Sequence, residues 1–272
     1  SAIRYRIWRY ECSMAASPRI ARKSLLTGAR QAEGVTVVID VLRAFTCAAF
    51  MVQLGAVEIV LLAEPEAVLD LKRQEGCLAV GEVAGKRVPG FDLGNSPSSI
   101  LAAGRDLFAG RIVAQRTSAG VTGAVAAARH SDPAGPLAGG ILLGSYVTAG
   151  AIARYIRTLT PPPDVISLVA MGSAGLEVTP DDQACADYIE HLLTGQPYDH
   201  TATLQRVVEH ECTQKFLRGD RAHYPPADPV YCLQRDLFDF VLIATPKTGR
   251  LVVKGIDVPK EPRSESPKET PQ

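Results

Sequence analysis

Residues 35–46 read VTVVIDVLRAFT. The unbroken apolar run from Val35 to Ile39 predicts a strand covered on both faces, because a half-exposed strand would alternate apolar with polar residues. Asp40 follows at the strand end, and Arg43 lies one helical turn further on. In an open α/β sheet ligands gather beyond the carboxyl ends of the strands, so both side chains are candidates to face one crevice. A helix-capping Asp and a surface Arg would give the same spacing.

Working outward, similar runs recur at Ile59 to Leu62, Leu78 to Val80, Ile112 to Ala114, Ile141 to Leu143 and Val165 to Val169. Segments with helical spacing lie between them: Pro65 to Gln74, Thr122 to Ala128, Ala149 to Thr158 and Asp181 to Leu193, with Thr148 and Thr179 as candidate caps. The alternation predicts an α/β fold, a three-layer α/β/α sandwich around a largely parallel or mixed sheet. Residues Phe238 to Ile256 read as two strands joined by a turn near Lys247 to Gly249, expected to close one edge of that sheet. No repeat of fixed period suggests a solenoid.

The chain has 272 residues and 46% hydrophobic content, enough for one large core. A single domain is expected over residues 1–257, with 258–272 as a proline-rich, charged tail that cannot offset its ordering entropy by burial. Residues 1 to 30 are arginine-rich, but the β-like stretch from Ile3 to Tyr10 argues against a transit peptide. Lys plus Arg equals Asp plus Glu, so no overall charge draws the chain to nucleic acid or to an anionic membrane. The six cysteines form no CxxC and no Cys/His spacing for a metal, and free thiols in a reducing cytoplasm are expected. No run of about 18 apolar residues spans a bilayer. The composition leaves a homodimer open.

Three further stretches carry candidate chemistry. GEVAGKRVPGFDLGNSPSSI, residues 81–100, places Glu82, Asp92 and Asn95 in a long loop shaped by glycine and proline. RIVAQRTSAGVTGAVAAA, residues 111–128, turns from a strand through Arg116, Thr117, Ser118 and Gly120 into a helix whose free amides and dipole suit an oxyanion. It is neither a P-loop nor a dinucleotide fingerprint. LVAMGSAGLEVTPDDQACADYIEHLL, residues 168–193, starts a helix at Asp181 and Asp182, which either complement its dipole or reach a metal. The histidines make no cluster with metal spacing.

In their order, IDVLRA, GEVAGKRVPGFDLGNSP, QRTSAGVTG and VAMGSAGLEVTPDDQACADYI resemble the 2-phosphosulfolactate phosphatase family over about residues 35–195. The resemblance implies an α/β sandwich, Mg²⁺, phosphate-ester hydrolysis on a three-carbon acid, and a link to coenzyme M biosynthesis. It also implies a site built from Asp40, Arg43, Glu82, Asp92, Asn95, Arg116 to Gly120, Asp181 and Asp182. The residue chemistry agrees. Mg²⁺ takes hard oxygen ligands and keeps several waters, so Asp40, Glu82, Asp92, Asp181 and Asp182 are the metal candidates. Arg43 and Arg116 are expected to hold anionic oxygens, and Asn95, Thr117, Ser118 and Gly120 to bind the small phosphorylated acid. Leu42 occupies the position where the DxDxT motif of aspartyl-phosphate enzymes needs its second Asp, which favours attack by metal-activated water. A non-catalytic anion sensor on the same loops is the alternative, disfavoured because carboxylates repel an anion unless a metal screens them.

Overall fold

All six apolar runs form strands, and all four helical segments form helices, in a computed structural model that describes residues 18–260. The described strands are β1 (Arg19–Ser24), β2 (Val35–Ile39), β3 (Glu58–Leu61), β4 (Leu78–Val83), β5 (Lys86–Arg87), β6 (Ile112–Arg116), β7 (Ile141–Gly144), β8 (Val165–Ala170), β9 (Phe240–Lys247) and β10 (Arg250–Asp257). The helices are α1 (Leu25–Arg30), α2 (Ala44–Gln53), α3 (Pro65–Glu75), α4 (Pro97–Phe108), α5 (Gly120–Ala128), α6 (Ala149–Thr158), α7 (Pro180–Thr194), α8 (His200–Glu209), α9 (Glu211–Leu217) and α10 (Asp228–Cys232). Thr148 and Thr179 occupy N-cap positions, although neither side chain makes a capping bond. Ile3 to Tyr10 and residues 261–272 lie outside the described residues. Val258 belongs with the fold rather than with a tail: it is buried, and its N–H donates to Asp239 O at 2.7 Å.

The strands make one mixed sheet in the order β1-β8-β2-β7-β9-β10-β3-β6-β4-β5. The β9–β10 hairpin does not close an edge as its sequence suggested. It lies in the middle, antiparallel to β7 on one side and to β3 on the other. Val241, Leu242, Ala244, Val252 and Val253 are buried there, which suits a strand flanked on both sides and covered on both faces.

Because two antiparallel joints and the hairpin separate them, the parallel groups β1-β8-β2-β7 and β3-β6-β4 run in opposite directions along the ladder. Sheet twist of roughly 20–25° per step amounts to about 100° or more over the five steps from β2 to β6. That rotation accounts for the meeting of the two groups' carboxyl ends. Gln115 of β6 donates to Ala44 O of α2 at 3.0 Å, and Gly120 abuts Asp40.

One face of the sheet carries a core continuous across both groups, with Val38, Ile59, Val113 and Val253 packed beneath Phe45 and Met51 of α2 and Val121 of α5. The opposite face has two cores. Ile39, Leu142 and Leu168 pack under Ile152 of α6 and Ile189 of α7, while Val60, Ala79 and Ala114 pack under Val68 and Leu71 of α3. Helices α8 to α10 lie between α7 and the hairpin in sequence, and α10 contacts α4. The five cysteines among the described residues are buried free thiols. Among these residues no helix is long and apolar enough to cross a membrane.

Candidate active site

A cavity of about 120 Å³ opens where the ends of β2, β4, β6 and β8 converge, with Asp40, Glu82, Asn95, Thr117 and Ser118 on its scaffold side. Asp40 enters because β2 ends at Ile39. Its Oδ1 accepts the Ala44 N–H at 3.0 Å, fixing the first turn of α2. A Cβ on Gly120 would sit 2.7 Å from Asp40 Oδ2 and 2.8 Å from Ala44 Cβ, so only glycine lets the start of α5 close on this carboxyl. Burial raises the Asp40 pKa to about 7; the Ala44 and Gly120 amides oppose the rise, while the charges of Asp181 and Glu82 add to it.

The two acids of α7 have different fates. Asp182 spends one oxygen on the Val41 N–H and the other on the Gly172 N–H, both at 2.7 Å, and so ties the end of β2 to that of β8. Burial, followed by the neighbouring charges of Asp181 and Asp40, pushes its carboxyl well above the usual range. Asp182 is therefore a brace between the two strand ends. Asp181 is buried with Oδ1 left without a hydrogen-bond partner. It is not among the cavity-lining residues, but its charge acts on Asp40.

Glu82 lines the cavity, yet its oxygens are already engaged. Oε1 accepts the Ser118 N–H at 2.6 Å, and Oε2 accepts the Gly85 N–H at 2.6 Å and the Ser118 hydroxyl at 3.2 Å. Asn95 is buried at the lip before α4, and its Oδ1 has no partner. Thr117 Oγ1 accepts the Val121 N–H and holds the first turn of α5.

Two sequence candidates stand apart from the cavity. Asp92 pairs with Lys72 Nζ at 2.7 Å and accepts the Ala79 N–H at 2.8 Å, so it anchors its loop to β4 instead of facing the site. Burial opposes ionisation of Asp92, but the Ala79 amide and the Lys72 charge outweigh it and hold the carboxyl below its ordinary value. Arg116 donates to Ala63 O, Glu82 O and Ser118 Oγ, which makes it a clasp between loops rather than an anion ligand.

Arg43 does line the cavity, though with its charge already compensated. Its Nη1 donates to Asp228 Oδ2 and His223 O, each at 3.0 Å, and the two paired side chains are 4% and 0% exposed. The guanidinium lies 5.1 Å from the Phe216 ring centroid and 5.5 Å from that of Tyr224. Asp228 also accepts both the Ser96 and the Ser98 hydroxyls and the Ser98 N–H. Lys215 and Phe216 on α9 and Tyr224 in the loop after it line the cavity, and Asp228 at the start of α10 pairs with Arg43; the sequence reading named none of them. The partners of Asp228 are Arg43, Ser96 and Ser98, 130 to 185 positions away, and no local spacing marks them.

Among the described residues no three His, Cys, Asp or Glu side chains converge into a metal cage made by protein alone. The donors that remain are nevertheless hard oxygens: the Asp40 carboxyl, and the partnerless Oδ1 atoms of buried Asp181 and Asn95. That donor set fits Mg²⁺, which needs as few as one or two carboxylates because it keeps its waters.

A small cavity at strand ends, with carboxyls on one side and Arg43 and Lys215 on the other, is the equipment of an enzyme acting on a small anion. The sequence profile of the 2-phosphosulpholactate phosphatase family matches residues 21–247. A relative in Bacillus subtilis (strain 168), named a probable 2-phosphosulfolactate phosphatase, is 30% identical over 212 residues, covering 76% of this chain and 86% of its own. Proteins of the same name from Thermus thermophilus and Carboxydothermus hydrogenoformans are 36% identical over 61% of this chain and 65% of theirs, and 30% identical over 80% and 89%. The chain belongs to the 2-phosphosulpholactate phosphatase family and is a phosphoric monoester hydrolase.

Proposed function

We propose that this phosphatase cleaves the phosphate monoester of a small hydroxy acid with the help of Mg²⁺, and that 2-phosphosulfolactate, giving sulfolactate and phosphate, is its best-matched substrate. The observation that carries the reading is buried Asp40, raised to a pKa of about 7 by burial and further by the charge of Asp181, facing a cavity that also displays cations. A cavity of about 120 Å³ is well below the 300–1,000 Å³ of ordinary ligand pockets. It favours a compact phosphorylated acid over a nucleotide.

Asp40, on the cavity surface, would hold Mg²⁺, with the charge of Asp181 acting on the same carboxyl. The ion would neutralise phosphoryl oxygens and supply a water of lowered pKa. Arg43, oriented by Asp228 and flanked by two rings, keeps N–H donors for the phosphate. The amino end of α5 brings its positive dipole to the same wall, and the Ser118 hydroxyl lies beside it. Glu82 and Asp182 shape the site by holding loops. Because each of their oxygens already accepts a hydrogen bond that holds a loop, neither is assigned a proton-transfer step.

Phosphate release measured over a panel of 2-phosphosulfolactate, 2-phospholactate and phosphoglycolate, with Mg²⁺ or with EDTA, tests the proposal. Turnover that needs Mg²⁺ and is fastest on the sulfonate is expected. Full activity in EDTA would overturn the metal assignment, and inactivity on all three would overturn the substrate class.

A further inference from the structure

Two cations, Arg43 and Lys215, flank the same pair of aromatic rings at the cavity. Lys215 Nζ lies 5.5 Å from the Phe216 centroid and 5.0 Å from that of Tyr224. Their electrostatic situations differ. Arg43 is neutralised by fully buried Asp228, whereas the ion pairs around α9 run from Arg218 to Glu211 and Asp220 and bypass Lys215. Among the described residues no carboxylate lies at ion-pair distance from Lys215, although it lines the cavity.

We propose that Lys215 is the specificity-determining residue of this site, binding the carboxylate or sulfonate that the substrate carries beside its phosphate ester. The assignment rests on the phosphatase reading above and extends it to the second anionic group. The phosphate belongs with the carboxyl that would hold Mg²⁺ and with the ends of β2 and β6. Lys215 arrives on α9, outside the sheet, and faces the remainder of a small molecule. A compact, mobile ammonium with three donors suits either a carboxylate or a sulfonate, since it imposes no planar geometry on its partner. The neighbouring rings restrict its sweep and lessen its contact with water.

The test compares each acid with a counterpart of similar size lacking the second charge: phosphoglycolate against ethyl phosphate, and 2-phospholactate against isopropyl phosphate. In wild type, Lys215→Gln and Lys215→Arg, the readout is the ratio of kcat/KM for the acid to that for its counterpart. Losing one charge-assisted contact should lower that ratio roughly tenfold to a hundredfold in Lys215→Gln, mainly through KM, and Lys215→Arg should restore most of it. A ratio unchanged by Lys215→Gln overturns the inference and leaves the phosphatase reading standing. If wild type cleaves none of the esters, the phosphatase reading falls instead. Calorimetric binding of intact phosphoglycolate then decides: affinity at least tenfold weaker in Lys215→Gln supports the role of Lys215, and equal affinity refutes it.

Discussion

The two walls of the cavity are built on different principles. On the strand-end wall, Asp40 and Glu82 accept backbone N–H groups three or four residues away, from Ala44 and Gly85, so their geometry follows from local turns. The opposing wall depends on reach across the chain. Arg43 finds Asp228 at a separation of 185 residues, and Phe216, Tyr224 and Lys215 come from α9 and the loop after it, which add no strand to the sheet. The comparison teaches that acids can be placed by local turns, whereas the cations become usable only after the α8 to α10 segment has docked.

Breaking the dock should have the largest effect. Asp228→Ala leaves Arg43 buried and uncompensated, and removal of one partner of such a pair costs about 3–5 kcal/mol. Urea unfolding should show that loss, together with a sharp fall in kcat/KM. Arg43→Met combined with Asp228→Ala should cost less than the sum of the single changes, because the second removes a group already orphaned. Strict additivity would show that the Arg43–Asp228 pair contributes no coupling energy to the dock.

The next test perturbs the acid wall through pH. Asp40 titrates near 7 in the folded protein against an ordinary 3.8. The folded state therefore binds a proton that the unfolded chain releases between these values. Stability in EDTA should fall as pH rises through that window, by up to about 1.4 kcal/mol per unit, and this contribution should level off above it. Asp182, raised in the same direction, adds to the slope. Melting temperatures at pH 5 and pH 8 should show Asp40→Asn with a shallower decline and greater stability than wild type at pH 8. Equal slopes would remove Asp40 as its source. Added Mg²⁺ should stabilise wild type more at the higher pH, since it requires the ionised carboxylate.

A smaller effect comes from steric change at the same wall. Gly120→Ala forces a methyl to within 2.7 Å of Asp40 Oδ2, and overpacking of this kind costs about 1–3 kcal/mol. Activity should fall further than stability, because the displaced group is the carboxyl itself. Wild-type kinetics in this variant would mean that α5 can retreat without moving Asp40.

How much was readable in advance follows the same division. The continuous apolar runs identified β2, β3, β4, β6, β7 and β8 because burial on both faces leaves a local signature. The hairpin was readable as a hairpin but not as the centre of the sheet, since pairing of Leu142 with Ile243 and of Val252 with Val60 is a long-range choice. Asp40 and Asn95 were found from their places at a strand end and in a glycine-rich loop. Asp92 and Arg116, in equally suggestive company, turned away because Lys72, Ala79 N–H and Ala63 O offered closer partners. Lys215 had no local mark at all.

The smallest expected effect sharpens this contrast between acids. Asp92 lies in the stretch most like the family, yet its pair with Lys72 is about one-third exposed on each side, at 31% and 33%. Solvent screening limits such a pair to below about 1 kcal/mol. Asp92→Asn keeps an oxygen for the Ala79 N–H, so it should lower the melting temperature by a few degrees at most, with KM for Mg²⁺ and kcat close to wild type. Asp181→Asn, a change of the same size at an acid with an orphaned oxygen, should instead weaken Mg²⁺ dependence at least tenfold. If Asp92→Asn proves the more damaging to Mg²⁺ affinity, the loop of residues 88–95 must swing its carboxylate into the cavity when substrate binds, and the acid wall would be assembled in turnover rather than in the resting fold.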